Sequence, residues 1–318
     1  MTKATDPSNH ISDRFSGMDR DSLLALARKE KWFHNMCIGD YQTGSWVYGE
    51  NLPPNYHLYP TWQFLNELDL NGATCLDIGT FDGMGAFSLA ACGATRVDAT
   101  CQHDLDRFRI ARALLGYENV AYYPKTDLAL THQRFPSAQF DLVLMTAMLH
   151  HLLSPIEGLL EARRLLKRGG YLIVEALVRE GGPADFKLNT ALEDPVYGCP
   201  TIWISSPDGA KEMLRLAGFN PVAEIHLTGG KQAREPNYDR VTLLAQAVTR
   251  DQIAGRTPKL IEFHRKIQTI GGYMYADFES PVTELSTLNL VSPIITPYRE
   301  LNIWLHKSEG RLQPSWRE

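Results

Sequence analysis

The chain has 318 residues, 44% hydrophobic and 22% charged, which is enough for a large buried core in one α/β domain with additions or in two domains. A formal net charge of −5 and a pI near 6.1 give no global pull toward phosphate backbones, so nucleic acid is disfavoured as the main partner and only a local basic patch is left open. Five cysteines (Cys37, Cys75, Cys92, Cys101, Cys199) without a C-x-x-C pair indicate neither a disulfide framework nor a metal site and suit a reducing, cytoplasmic setting. The polar first residues and the lack of an apolar run of about 18 residues predict neither a signal peptide nor a membrane span.

After a polar start, Asp19 to Lys31 carries leucines and alanines between charges and predicts a short amphipathic helix. Trp32 to Gly49 is aromatic and broken by glycines; it is a strap over the sheet edge or a cover for the active site. Prolines 53, 54 and 60 lead into a helix over 61–68. Thr74 to Ile78 reads as a strand that turns through Gly79, Gly83 and Gly85 into the apolar helix after Gly85. Strands are expected at 95–101, 119–123, 140–146 and 171–178, with a helix over 104–115. Between the last two strands, Ser154, Pro155 and Glu157 read as a capping box opening a helix, and Lys167 to Gly170 as its basic, glycine-capped end. A helix from Ser206-Pro207 to Gly218 precedes two strands, 222–227 and 241–248, that form a hairpin-like pair.

This alternation predicts an α/β fold: a Rossmann-like, doubly wound, seven-stranded sheet over 61–248, preceded by a helix and strap over 1–60. Residues 249–318 are an extension with a helix at Thr257 to Ile270 and many aromatic residues, such as Tyr273, Tyr298 and Trp304. It is expected to serve as a lid, as a dimer contact, or as both, and a homo-oligomer is left open.

The glycine turn decides between cofactors. A dinucleotide needs G-x-G-x-x-G, and the order here is Gly79, Gly83, Gly85 with Asp77 two residues ahead. That pattern resembles motif I of the class I S-adenosylmethionine (SAM) methyltransferases, with Phe81 in place of the middle glycine. The runs Phe140 to Met145, Met148-Leu149-His150-His151 with Ser154-Pro155, Val174 to Val178, Trp203 to Pro207 and Trp32-Phe33-His34 with Thr43-Gly44 are similar to the family of the tRNA uridine-34 carboxymethyltransferase, over roughly residues 30–248.

The resemblance implies SAM contacts at Asp77, Gly79, Thr80 and Gly83, with backbone amides of the turn at the methionine end. It also implies contacts at Cys101 and Gln102, at Thr126 and Asp127, at Thr146 and at Arg240. Cys101 stands where such enzymes carry an acid for the ribose, and Gln102 is the nearest hydrogen-bonding substitute. Carboxymethyl-transferring members carry a lysine before the strap glycine and a tyrosine after strand four; here Gln42 or Thr43 and His150 stand there. SAM is therefore favoured over carboxy-SAM, with Arg240 kept as an argument for the latter. His150 and His151, just past the fourth strand, are the first candidates for a general base, with Glu175 behind them. His34, Tyr59 and Tyr197 are placed at an acceptor pocket. The expected activity is methyl transfer to a small molecule. The alternatives are a tRNA-modifying methyl or carboxymethyl transferase and a non-catalytic partner subunit.

Overall fold

The computed structural model describes residues 14–39, 41–45, 54–128, 131–135, 137–179, 183–189, 201–228, 239–249, 252–253, 285–291 and 297–302. Helix α1 (Arg20–Ala27) starts where the Asp19 carboxylate accepts the Ser22 amide at 2.9 Å, and α2 (Tyr59–Asn66) follows a short 3₁₀ turn at Tyr56–Leu58. Strands and helices then alternate: β1 (Thr74–Ile78), α3 (Met84–Ala91), β2 (Arg96–Cys101), α4 (Asp106–Leu115), β3 (Val120–Pro124), α5 (Thr131–Arg134), β4 (Phe140–Met145), α6 (Pro155–Leu165) and β5 (Leu166–Val178). Helix α7 (Pro207–Leu216), β6 (Phe219–Thr228), β7 (Asp239–Ala247) and β8 (Tyr298–Asn302) complete the series.

The sheet runs β3-β2-β1-β4-β5-β7-β6-β8. Only β7 is antiparallel to its neighbours; the other pairs in this order are parallel. From β1 the chain winds outward to β2 and β3, then returns to β4 on the other side. The reversal opens a crevice at the carboxyl ends of β1 and β4, the usual ligand position in open α/β sheets. Period-two alternation divides the core between two faces. Cys75, Leu142 and Leu144 pack with Phe64, Phe87 and Phe108 on one face, and Leu76, Val143 and Met145 with Leu159, Leu214 and Phe219 on the other.

Two local expectations differ from the structure. Ser154 precedes α6 but its side chain makes no capping bond, and Lys167 to Gly170 do not cap the helix. Instead α6 ends at Leu165, because Ala138 and Gln139 donate their amides to the carbonyls of Arg164 and Leu165 at 2.8 and 2.9 Å, and Leu166 pairs with Phe140. The terminal carbonyls are satisfied by the neighbouring strand rather than by a local cap. Glycine is required at Gly170 for a different reason, since a Cβ there would stand 2.7 Å from the Asp141 carbonyl oxygen. The Ser206 cap does form, accepting the Gly209 amide at 3.0 Å.

The sheet also has more strands than the seven expected. Tyr298–Asn302, from the C-terminal extension, contributes β8 along β6, and short strands Phe186–Leu188 and Trp203–Ser205 join the end of β5. Another piece of the extension, Asn289–Leu290, pairs with Leu68–Asp69. Asp141 gathers three distant segments, accepting from the Thr74 amide at 3.0 Å, Lys167 Nζ at 3.0 Å and Ser286 Oγ at 2.8 Å. Arg299 meets Glu67 with an Nη2 to Oε2 distance of 3.0 Å. The helix expected at Thr257 to Ile270 lies outside the described residues. No helix among the described residues is long and apolar enough to cross a membrane.

Candidate active site

The glycine turn is built for close approach of neighbouring side chains. Gly79 has φ +76°, and a Cβ on it would run into the Met148 thioether, which lies across the turn from the β4 side. At Gly83, φ is +100° and a Cβ would strike the Phe87 and Phe108 rings. Asp77, at the end of β1, is buried, and burial pushes its carboxyl up to about 6. Its Oδ2 and the Thr80 hydroxyl are both buried without a hydrogen-bond partner. The Gly79 and Thr80 amides already donate to the Thr100 carbonyl, at 3.0 and 2.9 Å, and the Gly83 amide donates to Thr80 at 2.9 Å. Those three amides, expected to serve a ligand, are spent inside the protein.

The strap is bonded to this same turn. Asp82 is fully buried; its Oδ2 accepts the amides of Phe33 and His34, both at 2.9 Å, and its Oδ1 pairs with His34 Nδ1. Burial works against the charged carboxylate, but His34, by its charge and hydrogen bonds, holds Asp82 below the usual range. Phe33 meets the Phe81 ring edge-on at 5.3 Å, and Arg107 lies over the other side of Phe81 at 4.3 Å. Phe81 itself has φ +53°. The residue that replaces the motif glycine thus accepts an unfavourable backbone conformation and gains an aromatic lock on the strap.

Four histidines gather above the switch point. The His57 ring stacks on His34 at 5.5 Å and 28°, and the His150 ring lies 4.2 Å from that of His151. Burial, followed by the fields of His34 and Arg240, holds His57 well below the usual imidazole range. His150 is likewise held well below by burial, then by His151, Arg240 and His57. Neither ring nitrogen of His150 has a hydrogen-bond partner. Arg240 and Glu175, on the paired strands β7 and β5, form an ion pair with both side chains buried. His150 also borders a small, mostly apolar recess with Leu177, Trp203, Ser205 and Met213.

A profile described as "Methyltransferase domain" matches residues 76–174, from β1 into β5. A relative from Enterobacter sp. (strain 638), named tRNA U34 carboxymethyltransferase, is 33% identical over 236 residues, covering 70% of this chain and 68% of its own length. The chain belongs to the tRNA U34 carboxymethyltransferase family, within the class I SAM-dependent methyltransferases. The enzyme of that name from Pseudomonas paraeruginosa is 29% identical over 184 residues, 56% of this chain. The chain spans 55% of that relative's length. Among solved structures, the (4+2)-cyclase SpnF superposes with a TM-score of 0.50 at 16% identity, over 72% of this chain and 93% of that one. That likeness concerns the fold alone.

Within this family frame, Asp77, Gly79, Thr80, Cys101, Gln102, Thr126, Asp127, Thr146 and His150 all stand at the carboxyl ends of β1 to β4, beside the switch point. Their exposures differ. The Cys101 side chain is buried and burial raises its thiol, so it offers no charged contact, whereas Gln102 and Asp127 are exposed. The Thr126 hydroxyl turns back to the Pro124 carbonyl at 3.3 Å. His34 joins the cluster, but Tyr59 packs on Trp62 at 5.6 Å and donates to the Pro54 carbonyl at 3.2 Å. Tyr197 lies outside the described residues. Asp82 and His57 were not singled out by sequence, and Met148 only as part of the run that carries the resemblance. Asp82 stands in a Thr-Phe-Asp-Gly stretch that reads as an ordinary turn, and its partners are 48 and 49 residues away.

Proposed function

We propose that this chain is a SAM-dependent methyltransferase that uses SAM rather than carboxy-SAM. The observation that carries the reading is the crevice at the ends of β1 and β4, where a left-handed glycine and two orphaned buried oxygens, on Asp77 and Thr80, sit beside exposed Gln102 and Asp127. Donors and acceptors of this kind suit a nucleoside with an amino-acid tail. Asp77, Gly79 and Thr80 would hold the methionine end, Gln102 the ribose and Asp127 the adenine. Bound there, SAM supplies an electrophilic methyl group. The chain's own contribution is to hold the acceptor in line within a pocket closed by the strap, which removes much of the barrier.

The preference for SAM rests on Arg240. Its guanidinium is already neutralised by Glu175 inside the protein, so an additional carboxylate would have to displace a buried partner. For the acceptor, the names of the relatives favour a tRNA nucleoside, while the net charge of −5 and the strap pinned to Asp82 favour a small molecule.

Calorimetric titration with SAM, S-adenosylhomocysteine (SAH) and carboxy-SAM tests the donor, with micromolar binding of the first two and weaker binding of the third expected. Failure of all three to bind overturns the proposal. A tRNA gel shift whose affinity falls steeply with salt would select the tRNA acceptor, and no shift at low salt the small one.

A further inference from the structure

Resting on the methyltransferase reading, we infer that Phe81 is a positioning residue: its ring couples the strap to the donor-binding turn, so that a donor in the crevice tightens the strap over the acceptor pocket. The ring is not there for the core. Among the described residues it belongs to neither core cluster, and its φ of +53° is a conformation in which glycine is relaxed and an L side chain is disfavoured. Such a conformation persists where the surroundings over-determine it. Here two contacts of the ring lead to the strap. Phe33 meets it edge-on at 5.3 Å. Arg107 lies over it, 4.3 Å from its centre, and donates from Nη1 to the carbonyl of Lys31, just before the strap begins, at 3.3 Å.

The backbone of Phe81 belongs to the donor side. It follows Gly79 and Thr80, and its amide lies within hydrogen-bond reach of the Cys101 thiol, at the end of β2 where the ribose acid is missing. The turn is one braced piece, since the Gly79 and Thr80 amides are bonded to Thr100 and the Gly83 amide to Thr80. A donor that fixes Gly79 and Thr80 restrains Phe81 and Asp82 with them. Phe81 then holds Phe33, and Asp82 holds the Phe33 and His34 amides, at 2.9 Å each.

Two states of the strap follow: docked, with Phe33 against Phe81, and released, without that contact. A donor that favours the docked state must itself bind that state more tightly, by the same factor. Phe81 thereby supplies donor affinity at a site that has lost the charged partner at Cys101. Glycine at position 81 would insert a free backbone joint between the donor's contacts and Asp82 as well as deleting the ring. Restraint would then stop at Thr80.

Backbone hydrogen exchange of residues 32–39, read by mass spectrometry with and without saturating SAH, tests the coupling without an acceptor. Saturation removes any change in affinity from the comparison, and α6 serves as the internal reference. In the unmodified protein SAH should slow exchange of the strap by about tenfold or more. In Phe81→Gly the slowing should fall below about threefold, while Phe81→Tyr, which keeps the ring, should retain it. A ring that merely packs would speed exchange equally in the free and bound forms and leave the ratio at its original value. That result in Phe81→Gly, or loss of the ratio in Phe81→Tyr as well, would overturn the role of the ring. SAH that binds the unmodified protein in calorimetry without slowing the strap refutes the coupling alone, whereas no SAH binding at all refutes the methyltransferase reading on which it rests.

Discussion

Replacing Asp77 by Asn should make the protein more stable and the donor site worse. The Asp77 carboxyl ends β1 at 2% exposure, against Gly85, where a Cβ would stand 2.6 Å from Oδ2. Burial raises it from an ordinary 3.8 to about 6. Between these values the unfolded chain ionises while the native one stays protonated, so stability falls as pH rises from about 4 to 6 and then levels off. A gap of about 2 units corresponds to about 3 kcal/mol at neutral pH. Asn keeps the shape and removes the charge. Urea unfolding of both proteins in steps from pH 4 to 8 should show Asp77→Asn ahead by up to about 3 kcal/mol at pH 7.5, the lead closing toward pH 4. SAH affinity of the variant should drop at the same time. A difference that does not change with pH, or a variant less stable than the parent at pH 7.5, would refute the reasoning.

His57 and His150 act in the opposite sense. Their depressed native values mean that stability present above 6.5 is lost as pH falls, because only the unfolded chain takes up protons there. Their joint replacement by Gln should flatten the loss seen by urea unfolding between pH 7.5 and 5. Glu175→Gln removes the carboxylate of a buried ion pair and should cost about 3–5 kcal/mol; a partial recovery in Glu175→Met/Arg240→Met would confirm the cause. The same Gln variant should gain affinity for carboxy-SAM relative to SAM in calorimetry. Gly79→Ala, forced to φ +76° and against Met148, should cost more than about 1 kcal/mol and weaken SAH binding roughly tenfold or more.

The sheet was legible because each of its strands carries its own signal. β4 is six apolar or buried residues in a row and β1 leads straight into a glycine turn, patterns that need no knowledge of a partner. The helix starts at Asp19 and Ser206 were equally local. What failed was set by contacts distant in sequence. The end of α6 depends on Ala138 and Gln139, and β8 depends on β6, about 70 residues away, so neither could be read from nearby residues. The site divided in the same way. Motif I marked the crevice, and His34 was noticed as part of an aromatic strap, but the bond that fixes its ring comes from Asp82, 48 residues on. Cys101 showed the loss of an acid, but nothing in the sequence showed that its thiol would be buried.

The docking of β8 also bears on how the chain is made. The outer edge of β6 is covered by residues 298–302, and Asp141 receives Ser286 across 145 positions. During synthesis, therefore, β1 to β7 emerge from the ribosome well before the strand that closes their edge. In that interval β6 presents an open row of amides and carbonyls, the kind of template on which nascent chains pair with one another. A stall or a premature stop between residues 249 and 297 would leave β1 to β7 complete in sequence yet prone to aggregate. Expression yield should then depend more on the last strand than on any residue of the crevice.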